Sequence, residues 1–265
     1  LGDNLDQTGS FSIGGWVYLD CESTNNTIIS KRSFSDENPQ DIYKGYEISY
    51  DLTWGFHFVL TNGSWWDRIA VSTTPIFNEW FHVMGVFSSG QSLKLYINGI
   101  LVNETLTDFS GLEDNEFPFI IGAHTNFASG QPTSWSTSGM LDEISIWDKD
   151  LSYEEVQISM SCISTDDENL QGYWNFEEGP DEGQVLDMSE NGNNGTINGA
   201  TYSDDVPEQN CNSCEYEEID GFTYLNSFED SHYYISENLM SWSEASVLCQ
   251  NNGGELAVIE SSQEN

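Results

Sequence analysis

Basic side chains are scarce in this sequence. Six Lys and Arg residues stand against 45 Asp and Glu residues, the formal net charge is −39, and no Lys or Arg follows Lys149. Proteins bind nucleic acids and anionic membranes through clustered basic residues. The composition therefore argues against both classes of partner, and it is typical of a protein that stays soluble in salty surroundings.

Long apolar runs are also missing. No run approaches the ~20 residues that a membrane-spanning helix needs, so we expect no membrane insertion within these 265 residues. The first residue is Leu1 rather than Met, which indicates an internal fragment. A signal peptide or a C-terminal anchor outside the fragment would not be visible in it.

Cysteine is infrequent, with five residues in the chain. Cys162, Cys211 and Cys214 flank one segment that has no His at the spacing of a zinc site, which favours disulfides over a metal. We predict a disulfide between Cys162 and Cys211, with Cys214 as the rival partner. Disulfides form in oxidising compartments, so we expect the protein to be secreted or at the cell surface.

Catalytic signatures are missing too. The sequence has no nucleophile elbow, phosphate-binding loop or zinc-protease helix motif. The carboxylate arrangement of retaining glycosidases has its nearest counterpart in Glu218-Ile219-Asp220, but Thr223 occupies the partner position. The His residues are scattered, and we interpret each as a packing or surface residue: His57, His82, His124 and His232. We therefore predict that the chain is not an enzyme.

Alternating apolar and polar residues are what the sequence has in quantity. In the stretch Trp80–Val102, Leu93, Leu95 and Ile97 share one strand face, and Asn98-Gly99 favours a two-residue hairpin turn. Ser152–Ser161 is the one helical pattern before residue 170, with Ser152 as its N-cap. Further strands are predicted at a spacing typical of β-sandwiches: Ser10–Asp20, Thr27–Ser30, Tyr46–Tyr50, Gly55–Leu60, Trp65–Ser72, Phe117–Ala123 and Met140–Trp147.

Four phrases resemble the laminin-G-like, concanavalin-A-like jelly-roll domains: Trp80–Val83, Leu93–Gly99, Ile121–Ala123 and Gly139–Trp147. The resemblance implies a mainly β fold, an antiparallel jelly-roll β-sandwich, with a role in recognition or adhesion. We place this domain at residues 1–203, with its first strand missing before Leu1. Gln171–Tyr202 resembles another phrase of the family, and we predict that it adds edge strands to the sandwich rather than beginning a second copy.

Two further segments follow the sandwich. Residues 204–220 are acidic and without periodicity, so we predict a linker. Residues 221–265 resemble the N-terminal part of a C-type lectin domain on the run Trp242–Asn265, which implies a truncated α+β segment. Its pattern predicts a helix from Ser241, stopped by Gly253-Gly254, and then a strand over Glu255–Ile259. The resemblance also implies that the usual partner of Cys249 lies in the absent half.

Oxygen-bearing side chains alternate in one loop. Asp187, Ser189, Asn191 and Asn193, with Gly at the sixth position, repeat the opening of a calcium loop. The closing Glu is missing, so we predict that a second strand supplies Asp142 as a ligand. The family resemblance supports a structural calcium, and the alternative is an Asn- and Gly-rich turn without an ion.

Tryptophans beside predicted turns are the candidate ligand-binding residues. An exposed indole can stack on a sugar ring, and the sequence offers Trp54, Trp65, Trp66 and Trp135. Packing at the rim of the sandwich is the commoner role for such residues. The sequons at Asn25, Asn62, Asn103 and Asn194 are compatible with secretion.

Together these features predict a non-enzymatic recognition or adhesion fragment of a secreted or cell-surface multidomain protein, which binds glycans or extracellular proteins. One alternative is an accessory carbohydrate-binding part of a larger carbohydrate-active enzyme. A structural spacer is the third possibility.

Overall fold

A computed structural model describes most of the chain: residues 5–20, 25–32, 44–51, 55–62, 69–73, 77–126, 131–179, 183–209, 219, 221–228, 231–236, 240–252 and 254–255. Several predictions lie outside these residues, namely those for Trp54, Trp65, Trp66, Cys211, Cys214 and most of the strand Glu255–Ile259. The chain divides into two compact units, Leu1–Gln209 and Asn210–Asn265. No described helix is long and apolar enough to cross a membrane.

The strands in chain order are β1 (Phe11–Leu19), β2 (Asn25–Arg32), β3 (Lys44–Asp51), β4 (Gly55–Asn62), β5 (Ile69–Thr73), β6 (Trp80–Ser88), β7 (Ser92–Ile97), β8 (Ile100–Leu106), β9 (Ile120–Ile121), β10 (Ala123–Asn126), β11 (Gln131–Ser136), β12 (Gly139–Trp147), β13 (Leu170–Trp174), β14 (Gln184–Val185), β15 (Gly195–Thr196), β16 (Phe222–Phe228) and β17 (Ser231–Ser236). The helices are α1 (Tyr153–Ser161) and α2 (Trp242–Asn251).

Two sheets form the first unit. The six-stranded sheet has the order β13-β12-β1-β6-β7-β8, and the seven-stranded sheet has the order β10-β11-β2-β3-β4-β5 with β9 also paired to β2. Phe11, Ile48 and Phe58 belong to the core between the sheets, where Phe11 and Phe58 pack edge to face at 5.8 Å. The predicted β-sandwich is therefore confirmed, with one exception to its antiparallel pairing, because β11 runs parallel to β2.

The β6–β8 meander follows the sequence closely. Leu93, Leu95 and Ile97 all face the core. Asn98 and Gly99 take φ values of 48° and 70°, the positive values that a two-residue hairpin turn requires, and Ile97 pairs with Ile100 across the turn. The dipeptide thus sets the register of the strands on both sides.

Helix α1 covers the outer face of the six-stranded sheet. Ser152 caps it through a reciprocal pair of hydrogen bonds with Glu155, as its sequence predicts. The Trp16 indole N–H donates to the Met160 carbonyl at 3.1 Å and so ties the last turn of α1 to β1. A second apolar cluster fills the space between helix and sheet, comprising Met84, Val86, Tyr96, Trp147, Leu151, Val156, Leu170 and Tyr173.

The segment after α1 contributes a strand to the sandwich. Strand β13 pairs antiparallel with β12 and forms one edge of the six-stranded sheet. Gln171–Tyr202 therefore adds an edge strand, as predicted, and a short β14–β15 pair follows. Strand β11 was not predicted, since Gln131–Ser136 contains Pro132 and has no apolar alternation.

The second unit contains a β16–β17 hairpin and helix α2. Both the backbone N–H and the hydroxyl of Ser241 donate to Glu244 Oε2, at 2.9 and 2.6 Å, so the predicted capping residues meet at the start of the helix. The Gly254 N–H bonds to the Cys249 carbonyl at 2.9 Å, where the helix ends. Cys249 is half-buried on α2 with a free thiol.

Candidate ligand-binding site

The outer face of the seven-stranded sheet carries a polar network. On β3, Ile48 and Tyr50 face the core, so the residues that alternate with them, Glu47 and Ser49, face away from it. His57 on β4 lies directly opposite Ser49 in the strand register. These three polar side chains are nonetheless buried, at 2%, 5% and 5% exposure.

Glu47 is the centre of this network. Its Oε1 accepts a 2.5 Å hydrogen bond from the Ser49 hydroxyl and lies 3.7 Å from Arg32 Nη1, and its Oε2 lies 3.1 Å from His124 Nε2. Burial by itself would raise the pKa of Glu47. The contact with His124, the charge of Arg32 and the Ser49 hydrogen bond outweigh burial and hold this pKa at about 2. Glu47 is therefore a buried carboxylate at neutral pH.

The network extends to β4 through Ser49. His57 Nε2 lies 2.9 Å from Ser49 Oγ, and its Nδ1 lies 3.1 Å from the Gly55 carbonyl and 3.9 Å from Asp51 Oδ2. A hydroxyl has one proton, and the short bond to Glu47 takes it. The imidazole consequently donates to Ser49 rather than accepting its proton, so these residues do not form a serine nucleophile with its base.

Trp135 adjoins this network. It is half-buried, and its ring packs edge to face against His124 with the ring centroids 5.7 Å apart. Of the four tryptophans proposed from the sequence, Trp135 is the one that falls within the described residues. An aromatic ring beside a few placed polar side chains is a combination found in ligand-binding sites, and an exposed face of the indole could stack on a sugar ring.

Sequence reasoning missed Glu47, Arg32 and Ser49, and it treated His57 and His124 separately. The alternation Tyr46–Asp51 was a usable signal, because it places charged and hydroxyl side chains on one face of a strand whose other face is aromatic and aliphatic. The pairing with Arg32 and His124 had no local signal, since these residues reach Glu47 from other strands.

The Asp187 loop, residues 187–194, lies along the outer edge of β13. Asp187 Oδ1 accepts hydrogen bonds from the backbone N–H groups of Tyr173 and Ser189, both at 2.9 Å, and its Oδ2 accepts one from Asn193 at 2.7 Å. The side-chain amides of Asn191 and Asn193 donate to β13 carbonyls at 2.9 and 2.8 Å. The loop thus supplies hydrogen-bond partners to the backbone N–H and C=O groups of an edge strand, as an additional strand would.

Asp142 does not join that loop. It lies buried on β12, where its Oδ1 accepts a hydrogen bond from the Glu143 N–H at 2.9 Å. Burial and the charges of Glu143 and Glu177 raise the pKa of Asp142 to about 7. Glu143 has a positive φ of 53° and accepts a hydrogen bond from the Tyr173 hydroxyl.

The structure therefore gathers four of the five predicted calcium ligands and places Asp142 in an acidic group of its own. Of the four predicted ligands in the loop only Asp187 carries charge, and three N–H groups already engage its carboxylate. Within the described ranges no three His, Cys, Asp or Glu side chains are grouped to hold a metal. As arranged, these residues hydrogen-bond the loop to the edge strand β13. Calcium binding there stays a prediction.

The predicted disulfide also stays a prediction. Cys162 is half-buried at the C-terminal end of α1, where its N–H bonds to the Ile158 carbonyl at 3.0 Å. Cys211, its proposed partner, lies outside the described residues.

One comparison with a solved structure shows the same fold, and two weaker similarities accompany it. A Bacteroides ovatus protein considered to bind carbohydrate matches with a TM-score of 0.54 and 17% identity, over 71% of this chain and 52% of its own, so our chain spans about half its length. Domain 4 of AbnA, an extracellular GH43 arabinanase of Geobacillus stearothermophilus studied with arabinotriose, matches at 0.42 and 17%, over 60% and 69%. A heptameric SAP-like pentraxin of Limulus polyphemus matches at 0.42 and 18%, over 60% and 72%.

Among sequences, no curated protein matches the chain. One family model does match, that of the concanavalin A-like lectin/glucanases superfamily in its laminin G form, over residues 1–157. The match ends before residue 221, so the resemblance of 221–265 to a C-type lectin stays a prediction. Because the matched residues are more than half of the chain and fold as the two-sheet sandwich, this protein belongs to the concanavalin A-like lectin/glucanases superfamily.

Proposed function

We propose that the sandwich is a non-enzymatic carbohydrate-recognition domain of a secreted or cell-surface multidomain protein. The observation that carries this proposal is the half-buried Trp135 beside the Glu47 network on the outer face of the seven-stranded sheet. The fold it shares with the Bacteroides ovatus protein supports the same role. An accessory role next to a carbohydrate-active enzyme domain would use this same site.

The charge states favour binding over hydrolysis. A glycosidase of this carboxylate type needs one acid with a raised pKa facing the sugar and a second carboxylate opposite it. In the network, the pKa of Glu47 is about 2, so Glu47 is a poor proton donor at neutral pH. The carboxyl group whose pKa is raised to about 7, that of Asp142, lies on the other sheet.

A matched pair of tryptophan variants tests the proposal. Candidate glycans are first found on a glycan array with the intact chain, and affinities are then measured by calorimetry. We expect Trp135→Ala to weaken binding by about tenfold, which corresponds to about 1.4 kcal/mol. Trp80→Ala is the control, because Trp80 is also half-buried but lies on the six-stranded sheet with its indole N–H bonded to Asp205 at 3.1 Å.

Two results would reject the carbohydrate site. One is an array without any hit for a chain that unfolds cooperatively. The other is an equal loss of affinity in Trp135→Ala and Trp80→Ala, which would show that the fold rather than the face of the seven-stranded sheet is needed.

Calcium at the Asp187 loop is a separate proposal. An ion there would compete with the three N–H groups that now engage the Asp187 carboxylate. The Trp174 indole N–H donates to the Asn193 carbonyl at 3.0 Å and therefore makes Trp174 a reporter of this loop. Calcium binding predicts a fluorescence change on adding calcium chloride that Asp187→Asn abolishes, and identical spectra in calcium and in chelator contradict it.

The second unit is proposed to be the N-terminal part of a C-type lectin-like domain. Its support is the order of elements, a β16–β17 hairpin followed by the capped helix α2. Disulfide mapping of Cys249 in the full-length protein tests this, because the resemblance implies that Cys249 pairs with another cysteine of the same domain. A free Cys249 thiol in the folded full-length protein would reject the assignment.

A further inference from the structure

Carboxylates already face the basic side chains of the sandwich. Five of the six Lys and Arg residues lie in the part of the chain that the structure describes. Four of these five form ion pairs: Lys31 with Asp6 at 2.9 Å, Arg32 with Glu47 at 3.7 Å, Lys44 with Glu113 at 2.8 Å, and Lys149 with Glu155 and Asp167 at 2.9 and 2.8 Å. The fifth, Lys94, lies opposite Glu104 in the strand register.

Burial fixes the two cations of β2 in place. Arg32, the cation of the Glu47 network, is 1% exposed. Lys31 is 2% exposed, and its ammonium also donates to the Asn115 and Phe117 carbonyls, both at 2.9 Å. A buried cation that turned toward a ligand would leave its carboxylate partner buried without compensation, which is strongly unfavourable. An anionic ligand therefore gains neither cation without breaking an ion pair of the protein.

Carboxylates outnumber guanidinium groups in the described part of the Glu47 network. Glu47 is ionised at neutral pH, because its pKa is about 2. Asp51 follows Glu47 and Ser49 on the outward face of β3, and its side chain is 23% exposed. The formal charge of −39 adds a negative potential over the whole protein. An anionic sugar that approaches this face is repelled both by nearby side chains and by the chain as a whole.

A neutral sugar suits the same face. Carboxylate oxygens accept hydrogen bonds, and imidazole and hydroxyl groups donate and accept them, so the residue types of this network match the hydroxyl groups of a sugar. Trp135 is half-buried beside His124 and supplies an apolar surface for the ring. Neither interaction requires a charge on the ligand.

We propose that the carbohydrate site on the seven-stranded sheet selects neutral glycans and rejects glycans that carry carboxylate or sulfate groups. This inference rests on the proposed function and names the class of glycan that the same site accepts. Repulsion between charges is screened by salt, with a Debye length of about 10 Å at 0.1 M and about 3 Å at 1 M. The rejection of anionic glycans therefore depends on salt, whereas the binding of neutral glycans does not.

A matched pair of glycan derivatives tests the selection on the intact chain. The probes are made from a neutral glycan that binds on the array, and one carries carboxymethyl groups. The other carries carbamoylmethyl groups, which have nearly the same shape without the charge. Calorimetry is done in sodium chloride without divalent cations, so that no metal bridges the ligand to the protein.

The charged derivative should bind more weakly than its neutral counterpart by at least about tenfold at low salt. At about 1 M salt this difference should shrink by threefold or more, because the charges are then screened. The affinity of the carbamoylmethyl derivative should change by less than about twofold over the same range of salt.

Two variants with equal net charge locate the repulsion. Asp51→Asn should reduce the difference between the two derivatives by about threefold at low salt, whereas Asp166→Asn should leave it nearly unchanged. Asp166 is exposed in the loop after α1, away from the seven-stranded sheet. Thermal unfolding of each variant verifies that it is folded.

Any of four results overturns the inference. They are equal affinities for the two derivatives, a difference that salt does not reduce, equal effects of Asp51→Asn and Asp166→Asn, and an array on which anionic glycans bind in preference to neutral ones. Each of these results leaves the carbohydrate site itself in place. An array without any hit rejects the proposed function, and this inference with it.

Discussion

The two sheets carry buried titratable residues on their outer faces, and these residues differ in charge. On the six-stranded sheet, His82 is 1% exposed, packs against the Trp16 ring at 5.5 Å and is kept neutral, because burial lowers its pKa to about 3. On the seven-stranded sheet, Glu47 is 2% exposed and ionised, because His124, Arg32 and Ser49 together outweigh burial. Equal burial therefore produces opposite charge states, and the neighbouring side chains decide which one is found.

The faces around these residues differ in the same way. Around His82, α1 and the sheet enclose an apolar cluster that acts as a second small core. Around Glu47, each buried polar side chain of the network is compensated by the charge or the hydrogen bond of another. Removing one partner of a buried ion pair leaves the other charge buried without compensation, which strongly destabilises the fold. Removing atoms from an apolar contact costs only their lost burial and the cavity that they leave. The four predictions below follow this difference.

Replacing Glu47 should have the largest effect. Glu47→Gln removes the charge that faces both Arg32 and His124, and we expect a loss of about 4 kcal/mol in the free energy of unfolding, as for other buried ion pairs deprived of one partner. Urea denaturation measures it. Glu113→Gln is the control, since Glu113 pairs with Lys44 at 2.8 Å but is 60% exposed, and such a surface pair contributes less than about 1 kcal/mol. Equal losses in the two variants would contradict the argument.

Truncation on the apolar face should come next. Leu151 is 5% exposed in the cluster under α1, so Leu151→Ala should cost about 3 kcal/mol through lost burial and a cavity. Ile158→Ala is the matched control, because Ile158 lies on α1 itself with 53% exposure. A cost for Ile158→Ala as large as that for Leu151→Ala would show that helix formation rather than packing is being measured.

Acidification should have an intermediate effect on stability, and it should act on His82 and on Glu47 in different pH ranges. The pKa of His82 is lowered from 6.5 to about 3, so its contribution to stability is complete above pH 6.5 and is lost as the pH falls toward 3. The pKa of Glu47 is lowered from 4.5 to about 2, so its contribution is lost only below pH 4.5. Between pH 7 and pH 5, the His82 contribution should therefore fall by about 2 kcal/mol. The raised pKa of Asp142, about 7, acts in the opposite direction over the same interval, so the His82 contribution is measured as the difference between the unaltered protein and His82→Phe. In His82→Phe that part of the pH dependence should disappear, and its persistence would assign it to other groups.

The helix cap should have the smallest effect. The Ser152 hydroxyl accepts a 3.2 Å hydrogen bond from the Glu155 N–H at the start of α1, and Ser152→Ala should cost about 1 kcal/mol. Ser164→Ala, in the exposed loop after α1, is the control and should be neutral. Thermal unfolding of both variants checks this, and an unchanged midpoint for Ser152→Ala would mean that packing alone holds the helix.

Local chemistry explains why some of the fold was predictable from the sequence. The Asn98-Gly99 turn, the Ser152 cap of α1 and the alternating strands β1, β6 and β7 each depend on residues that are close in sequence. Strand β11 was missed because its pairing comes from β10 and β2 and its own residues lack a pattern. Its position therefore follows from neighbours that the local sequence does not encode.

The candidate site was less predictable. Trp135 was proposed from its place beside a turn, and the structure places it next to His124. The sequence suggested a calcium site from the spacing of Asp187, Ser189 and Asn191, which stays a prediction. The structure shows the Asp187 carboxylate and the Asn191 amide hydrogen-bonded to the backbone of β13. Spacing predicts which side chains can converge, but it does not predict whether they converge on an ion or on a peptide edge.

By itself, the sequence determined that this chain is an acidic β-sandwich, because alternation, turn dipeptides and helix caps act over a few residues and set which faces are apolar. Tertiary structure alone decided which outward-facing residues would be buried and in which charge state. Arg32 and His124 meet Glu47 only when β2, β3 and β10 belong to one sheet. The free energy of a buried charge depends on partners within a few ångströms, and those distances are set by strand order rather than by distance along the chain.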